Sequence, residues 1–134
     1  MSTELGPSIS QINLARSVIK QNLIKTPVIP LKSDRWMEVL PRDTNVSVKL
    51  ELFQQAGSFK ARGAYLGIQN LSSEQKKQGV VAASGGNHAL AVSWAAAAAG
   101  VTAKITMPKT TDPYRIEGCR SVAVSYTHLR AHET

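Results

Sequence analysis

The stretch "GVVAASGGNHALAVSWAAAAAGVTAKITMP", Gly79 to Pro108, decides the fold. "GVVAAS" is a short apolar run, the pattern of a buried strand. "GGNHALAVSWAAAAAG" follows as a glycine turn feeding an alanine-rich helix, which Gly100 can terminate. "VTAKITMP" is a second strand, and "TTDPYRIEGCRS" opens a further helix. Strand, helix, strand, helix at this spacing predicts an α/β fold with a parallel sheet and flanking helices. Parallel sheets place ligand loops at the carboxyl ends of their strands. "SGGNH" stands in such a place.

Upstream, Ser8 or Ser10 can cap a first helix. Ile12, Ala15, Ile19 and Leu23 then recur at helical spacing to about Ile24. "KTPVIP" ends that helix, because Pro27 turns Thr26 away from helical geometry. "NVSVKLELF", Asn45–Phe53, alternates apolar and polar residues as a strand does. The loop "QQAGS" leads into "FKARGAYLGIQNL", a helix with Phe59, Ala64 and Ile68 among its apolar positions. "SSEQKKQG" is a polar connector in which Ser72 or Ser73 caps a short turn ending at Gly79.

The 134 residues suit one modest domain or part of a larger one. Apolar residues are 43% and charged residues 19%, ordinary for a soluble globular protein. The net charge is +7, but the cations are scattered, without a basic block or interleaved aromatics. That distribution fits a basic surface rather than a nucleic-acid interface. Cys119, the single cysteine, has no internal disulfide partner and fits a reducing compartment. "MSTELGPSIS" lacks the pattern of a signal peptide, and Ala89–Val101 is too short to span a bilayer. A cytoplasmic protein without membrane association is expected.

Two stretches carry chemistry. In "QQAGSFKARGA", Gln54–Ala64, Lys60 sits between Phe59 and small residues, with Gly57, Ser58, Ala61, Gly63 and Ala64 around it. A lysine amine attacks a carbonyl only when unprotonated, which burial or a neighbouring cation favours. The small neighbours leave room for a planar group. Taken alone, however, the stretch reads more readily as a surface lysine at a helix start. In "ASGGNHA", backbone N–H groups at a glycine-rich helix N-terminus attract anions. Ser84 adds a hydroxyl and Asn87 an amide. A carboxylate or phosphate cradle and a plain tight turn are both open readings, and His88 is either a base or a turn residue. The fingerprints of dinucleotide binding and of the P-loop are absent.

Together, "GSFKARGA" and "SGGNHA" resemble the fold-type II pyridoxal phosphate enzymes, within them the serine/threonine dehydratase group. That group includes threonine deaminases, serine dehydratases and serine racemases. The resemblance runs from about Ile12 to Ser121. It takes in "TPV" (Thr26–Val28), "KLE" (Lys49–Glu51) and "MPKTTDPYRIEGCR". It implies that Lys60 carries the cofactor as a Schiff base and acts as base on one face. It implies that Phe59 packs beside the pyridine ring and that Asn87 bonds the ring hydroxyl. Ser84, Gly85, Asn87 and His88 would hold the substrate carboxylate. The implied activity is dehydration and deamination of L-serine or L-threonine to a 2-oxo acid and ammonia, by a homo-oligomeric enzyme. A reading of another class keeps the chain as a non-catalytic anion-binding module with an incidental lysine.

Racemases of the group resemble "SSGNH", whose second serine is an acid/base on the opposite face. Here that position is Gly85, so elimination is expected over racemisation. Ala89 stands where many relatives have glycine. A glycine-rich phosphate loop, a Ser or Cys for the pyridine nitrogen and an acidic metal cluster are not found, so no metal residues are assigned. The chain is therefore expected to be the N-terminal portion of such an enzyme. Residues 1–75 would belong to the large domain and residues 76–123 to the first units of the small domain. "VSYTHLRAHET", residues 124–134, resembles a translated sequencing adapter and is expected to be a non-native tail. Its His128 and His132, four apart, are not read as metal ligands.

Overall fold

The computed structural model describes residues 6–31, 34–41 and 43–122. The stretch 124–134 expected to be a tail, with its two histidines, lies outside the described residues.

Strand β3 (Val80–Ala83), helix α5 (Asn87–Ala98), strand β4 (Ala103–Thr106) and helix α6 (Pro113–Arg120) follow in the expected order. β3 and β4 pair in parallel, with Val80 opposite Ala103 and Ala83 opposite Thr106. A parallel pair needs a crossover, and α5 supplies it. Ala89, Ala91, Val92, Ser93, Ala95 and Ala96 of α5 are buried. Alanine loses no rotamer freedom and keeps the helix thin, so neighbours approach from several sides. α3 (Lys60–Gln69), α6 and both strands pack against α5. The core adds Tyr65 and Ile68 from α3, Val101, Ile105 and Met107 from the second strand region, and Cys119 from α6. Burial pushes the Cys119 thiol pKa up, which keeps it an inert core group.

α4 (Ser73–Gln78) is the expected short connector. Ser72 caps it reciprocally: its Oγ accepts from Gln75 N at 3.2 Å, and its own N donates to Gln75 Oε1 at 2.8 Å. Gly79 ends it at φ 84°, ψ −176°, a region essentially open to glycine alone.

The N-terminal part departs from expectation in four places. α1 (Ile9–Ile19), capped by Ser8, stops well before Ile24. Beyond its end, the side chain of Gln54 holds Ile24: its Oε1 accepts from Ile24 N at 3.0 Å and its Nε2 donates to Ile24 O at 2.8 Å, keeping both groups out of a helix. The strand expected over Asn45–Phe53 is only β2 (Ser47–Lys49), followed by a 3-10 turn at Glu51–Phe53. β1 (Val28–Pro30), read from sequence only as a helix stop, pairs antiparallel with β2. Pro30 is tolerated there because a strand end in a two-stranded sheet can lack an N–H donor. α2 (Asp34–Val39), also not anticipated, lies between them.

Candidate active site

Lys60 is the first residue of α3, with Phe59 as its cap residue. The approach to it is set by backbone geometry. Ala56 and Gly57 lie in the left-handed region, at φ 56° and φ 65°. Glycine takes that conformation freely, whereas alanine is held there against its steric preference. The turn Gln55–Gly57 and α3 both pack against α5. This brings the lysine stretch and the helix that begins at Asn87 into one packed unit.

A polar clamp surrounds the same segment. Glu51 accepts from Arg62 Nε at 2.8 Å and from Arg62 Nη2 at 2.7 Å, and from Thr26 Oγ1 at 2.5 Å. Lys49 Nζ adds a cation at 3.7 Å. The Arg62 guanidinium above all holds the Glu51 carboxyl far below its usual range, at about 2. The clamp ties the "TPV" segment, the "KLE" segment and the helix after Lys60 together. In the sequence these stretches read as a helix stop, a strand and a helix and as parts of a resemblance, but not as a clamp. The physical signal was an acidic residue and two basic ones flanking a glycine-serine loop.

Lys60 itself is exposed, and its Nζ lies 5.1 Å from the centroid of the Phe59 ring. Phe59 is 58% exposed, a large aromatic face left open beside an amine. A Cβ built on Gly57 or on Gly63 would meet nothing within 4 Å, so both neighbours leave space. Ser58 is buried, and among the described residues its hydroxyl has no hydrogen-bond partner.

The second loop follows β3. Ser84 N donates to Thr106 O at 2.9 Å, and Ser84 Oγ accepts from Gly86 N at 3.1 Å, shaping the turn. Gly86 caps α5 without any side-chain acceptor, and among the described residues the N–H groups of Asn87 and His88 have no acceptor, while Ala89 N donates to Gly86 O at 3.1 Å. Asn87 Oδ1 accepts from Arg115 Nη1 at 2.7 Å. Arginine offers only donors, which fixes the amide orientation and leaves Asn87 Nδ2 to donate elsewhere. His88 is exposed. Ala89 is fully buried, where the small side chain fits. A Cβ on Gly85 would come within 2.7 Å of Thr111 Oγ1, itself buried without a hydrogen-bond partner among the described residues. Among the described residues no hydrogen bond joins Lys60 to Ser84, Asn87 or His88.

These donors suit one kind of guest. An open amine can join an aldehyde, and an exposed ring can flank a second ring. An amide with only its N–H groups free must meet an acceptor, and an uncapped helix start favours an anion. Pyridoxal phosphate and an amino-acid carboxylate together present these features, so the residues fit the cofactor. A groove of about 1080 Å³ between α1 and α3 includes Phe59, Glu51 and Arg62 but neither Lys60 nor the Asn-His loop. It is not the candidate site.

The comparisons with known proteins agree with this chemistry. Residues 19–130 match the family model described as pyridoxal-phosphate dependent enzyme. The chain is 42% identical over 120 residues to phenylserine dehydratase of Ralstonia pickettii, covering 90% of this chain and 36% of that protein. It is 36% identical over 125 residues to the biosynthetic L-threonine dehydratase of Lactococcus lactis, covering 92% and 29%. Among solved structures, maize serine racemase superposes with a TM-score of 0.80 at 34% identity, over 92% of this chain and 36% of that one. The chain thus spans about a third of the length of these relatives. Among the described residues no helix is long and apolar enough to cross a membrane. The α/β unit, with an open lysine at the start of α3 and a glycine-asparagine loop at the start of α5, belongs to the family of pyridoxal-phosphate-dependent enzymes.

Proposed function

We propose that the chain is the N-terminal part of an enzyme that dehydrates and deaminates a small β-hydroxy-α-amino acid, L-serine or L-threonine. In this reading residues 1–75 open the large domain and residues 76–123 begin the small one. The observation that carries elimination over racemisation is Gly85, which offers no side chain to act as an acid/base; a Cβ there would lie 2.7 Å from Thr111 Oγ1, so any side chain would require Thr111 to shift. The names of the relatives, phenylserine and threonine dehydratases, point to the same reaction class.

Pyridoxal phosphate supplies the electron sink when bound. The protein supplies position and proton transfer. Lys60 Nζ takes the α-proton of the substrate. The N–H groups at Gly85, Asn87 and His88, with the Ser84 hydroxyl, hold the substrate carboxylate. Asn87 Nδ2 donates to an acceptor on the cofactor ring, and Phe59 lies beside that ring. The β-hydroxyl leaves as water. The enamine product gains water and releases ammonia, leaving a 2-oxo acid.

The test uses the whole protein with L-serine, L-threonine and L-phenylserine. Formation of 2-oxo acid from at least one, lost in Lys60→Ala, is the expected outcome. Conversion of L-serine to D-serine at a comparable rate would count against it.

A further inference from the structure

We infer that Arg115 is a positioning residue that sets the direction of the Asn87 side-chain amide. The inference rests on the proposed role of Asn87 toward the cofactor. Arg115 lies in the first turn of α6, and α6 packs on α5. Its Nη1 donates to Asn87 Oδ1 at 2.7 Å, across 28 residues of sequence. Asn87 begins α5 and is exposed, so packing alone does not hold its side chain.

Three consequences follow from the chemistry. First, an arginine has no acceptor, so the amide oxygen faces α6 and the amide nitrogen faces away from it. Without Arg115, either end of the amide can point either way. Second, a charge-assisted bond to the oxygen polarises the amide and makes its N–H groups better donors. Asn87 therefore presents two strengthened donors and no acceptor to whatever occupies the loop. A ring oxygen carrying negative charge is the matching partner. Third, the loop geometry becomes coupled to α6. Asp112 caps that helix, its Oδ1 accepting from Tyr114 N at 2.8 Å, and this fixes the turn from which Arg115 projects.

The experiment reads Asn87 directly. The chain is labelled with nitrogen-15, and the side-chain NH₂ pair of Asn87 is identified by its disappearance in Asn87→Asp. In Arg115→Met the pair is expected to move toward the positions of free amides and to exchange with water more slowly, because the cation that polarises the amide through its oxygen is gone. Arg115→Lys restores a charged donor without the planar fork, and intermediate positions are expected. Signals that stay at wild-type positions and rates in both variants, with the backbone spectrum retained, would overturn the inference. A parallel arm adds pyridoxal phosphate and reduces with borohydride. Wild-type protein that traps cofactor on Lys60 while Asn87 ignores Arg115 loses this inference and keeps the functional reading. An Asn87 pair that responds to Arg115 supports the inference even where Lys60 traps nothing, a result that weakens the functional reading alone.

Discussion

Arg62 holds Glu51 by a two-point contact, Nε to Oε2 at 2.8 Å and Nη2 to Oε1 at 2.7 Å. Arg62 stands two residues beyond Lys60, on a different side of α3, so it does not crowd the amine. Instead it anchors the start of the helix that presents Lys60. Removing either partner strands the other in a half-buried place. Arg62→Ala is expected to lower stability by about 1–3 kcal/mol. Arg62→Lys recovers only part, because an ammonium cannot make the paired contact. Urea unfolding of the three proteins measures this; equal midpoints would contradict it.

The same pair gives a pH dependence with a definite sign. The Glu51 carboxyl titrates near 2 in the folded protein against a reference value of 4.5. A lowered folded-state pKa stabilises above the unfolded value and is lost as pH falls through the folded one. Stability should therefore fall between about pH 4.5 and pH 2, and part of that slope should vanish in Glu51→Gln. Solvent screening keeps the contribution to about 1–3 kcal/mol. Thermal melts across this range check it, and identical slopes in both proteins would speak against it.

Gly79 cannot be replaced cheaply. Its backbone is at φ 84°, and a Cβ there would lie 2.5 Å from Thr102 Oγ1 and 2.8 Å from Thr102 O. The Thr102 carbonyl also accepts from Val80 N at 2.9 Å, so it is held in place by the first bond of the parallel pair. Gly79→Ala should cost about 1–3 kcal/mol. A melting temperature equal to wild type would refute this.

Gly85 and Thr111 should behave as a coupled pair. Gly85→Ala forces Thr111 Oγ1 away from a Cβ that would sit 2.7 Å from it. The expected cost is about 1–2 kcal/mol, relieved in Thr111→Ala. The double-mutant cycle should show a coupling of about 0.5–2 kcal/mol. Strict additivity would mean that Thr111 does not limit residue 85.

Much of the α/β part was legible in the sequence because its signals are local. The strand-helix-strand run from Val80 to Thr106 is written in apolar runs, an alanine helix and the turn at Gly85–Gly86. Capping at Ser8, Ser72 and Asp112 follows the same short-range chemistry. The N-terminal part was less legible because its structure depends on distant partners. Gln54 holds Ile24 out of a helix across 30 residues, and β1 pairs with β2 from across the intervening chain. The site divides in the same way. Lys60, Phe59 and Asn87 were found as residue types in characteristic stretches. Their supports, Arg115 behind Asn87, Thr111 behind Gly85 and Glu51 behind Arg62, are tertiary contacts without a sequence period.

The most direct measurement concerns Lys60. The protein is mixed with pyridoxal phosphate, reduced with borohydride, digested and analysed by mass spectrometry. The modified lysine is expected on the peptide containing Phe59–Lys60–Ala61, at higher occupancy than on the other lysines, and lost in Lys60→Ala. Labelling spread evenly over the lysines, unchanged when Lys60 is removed, would contradict its place as the cofactor anchor.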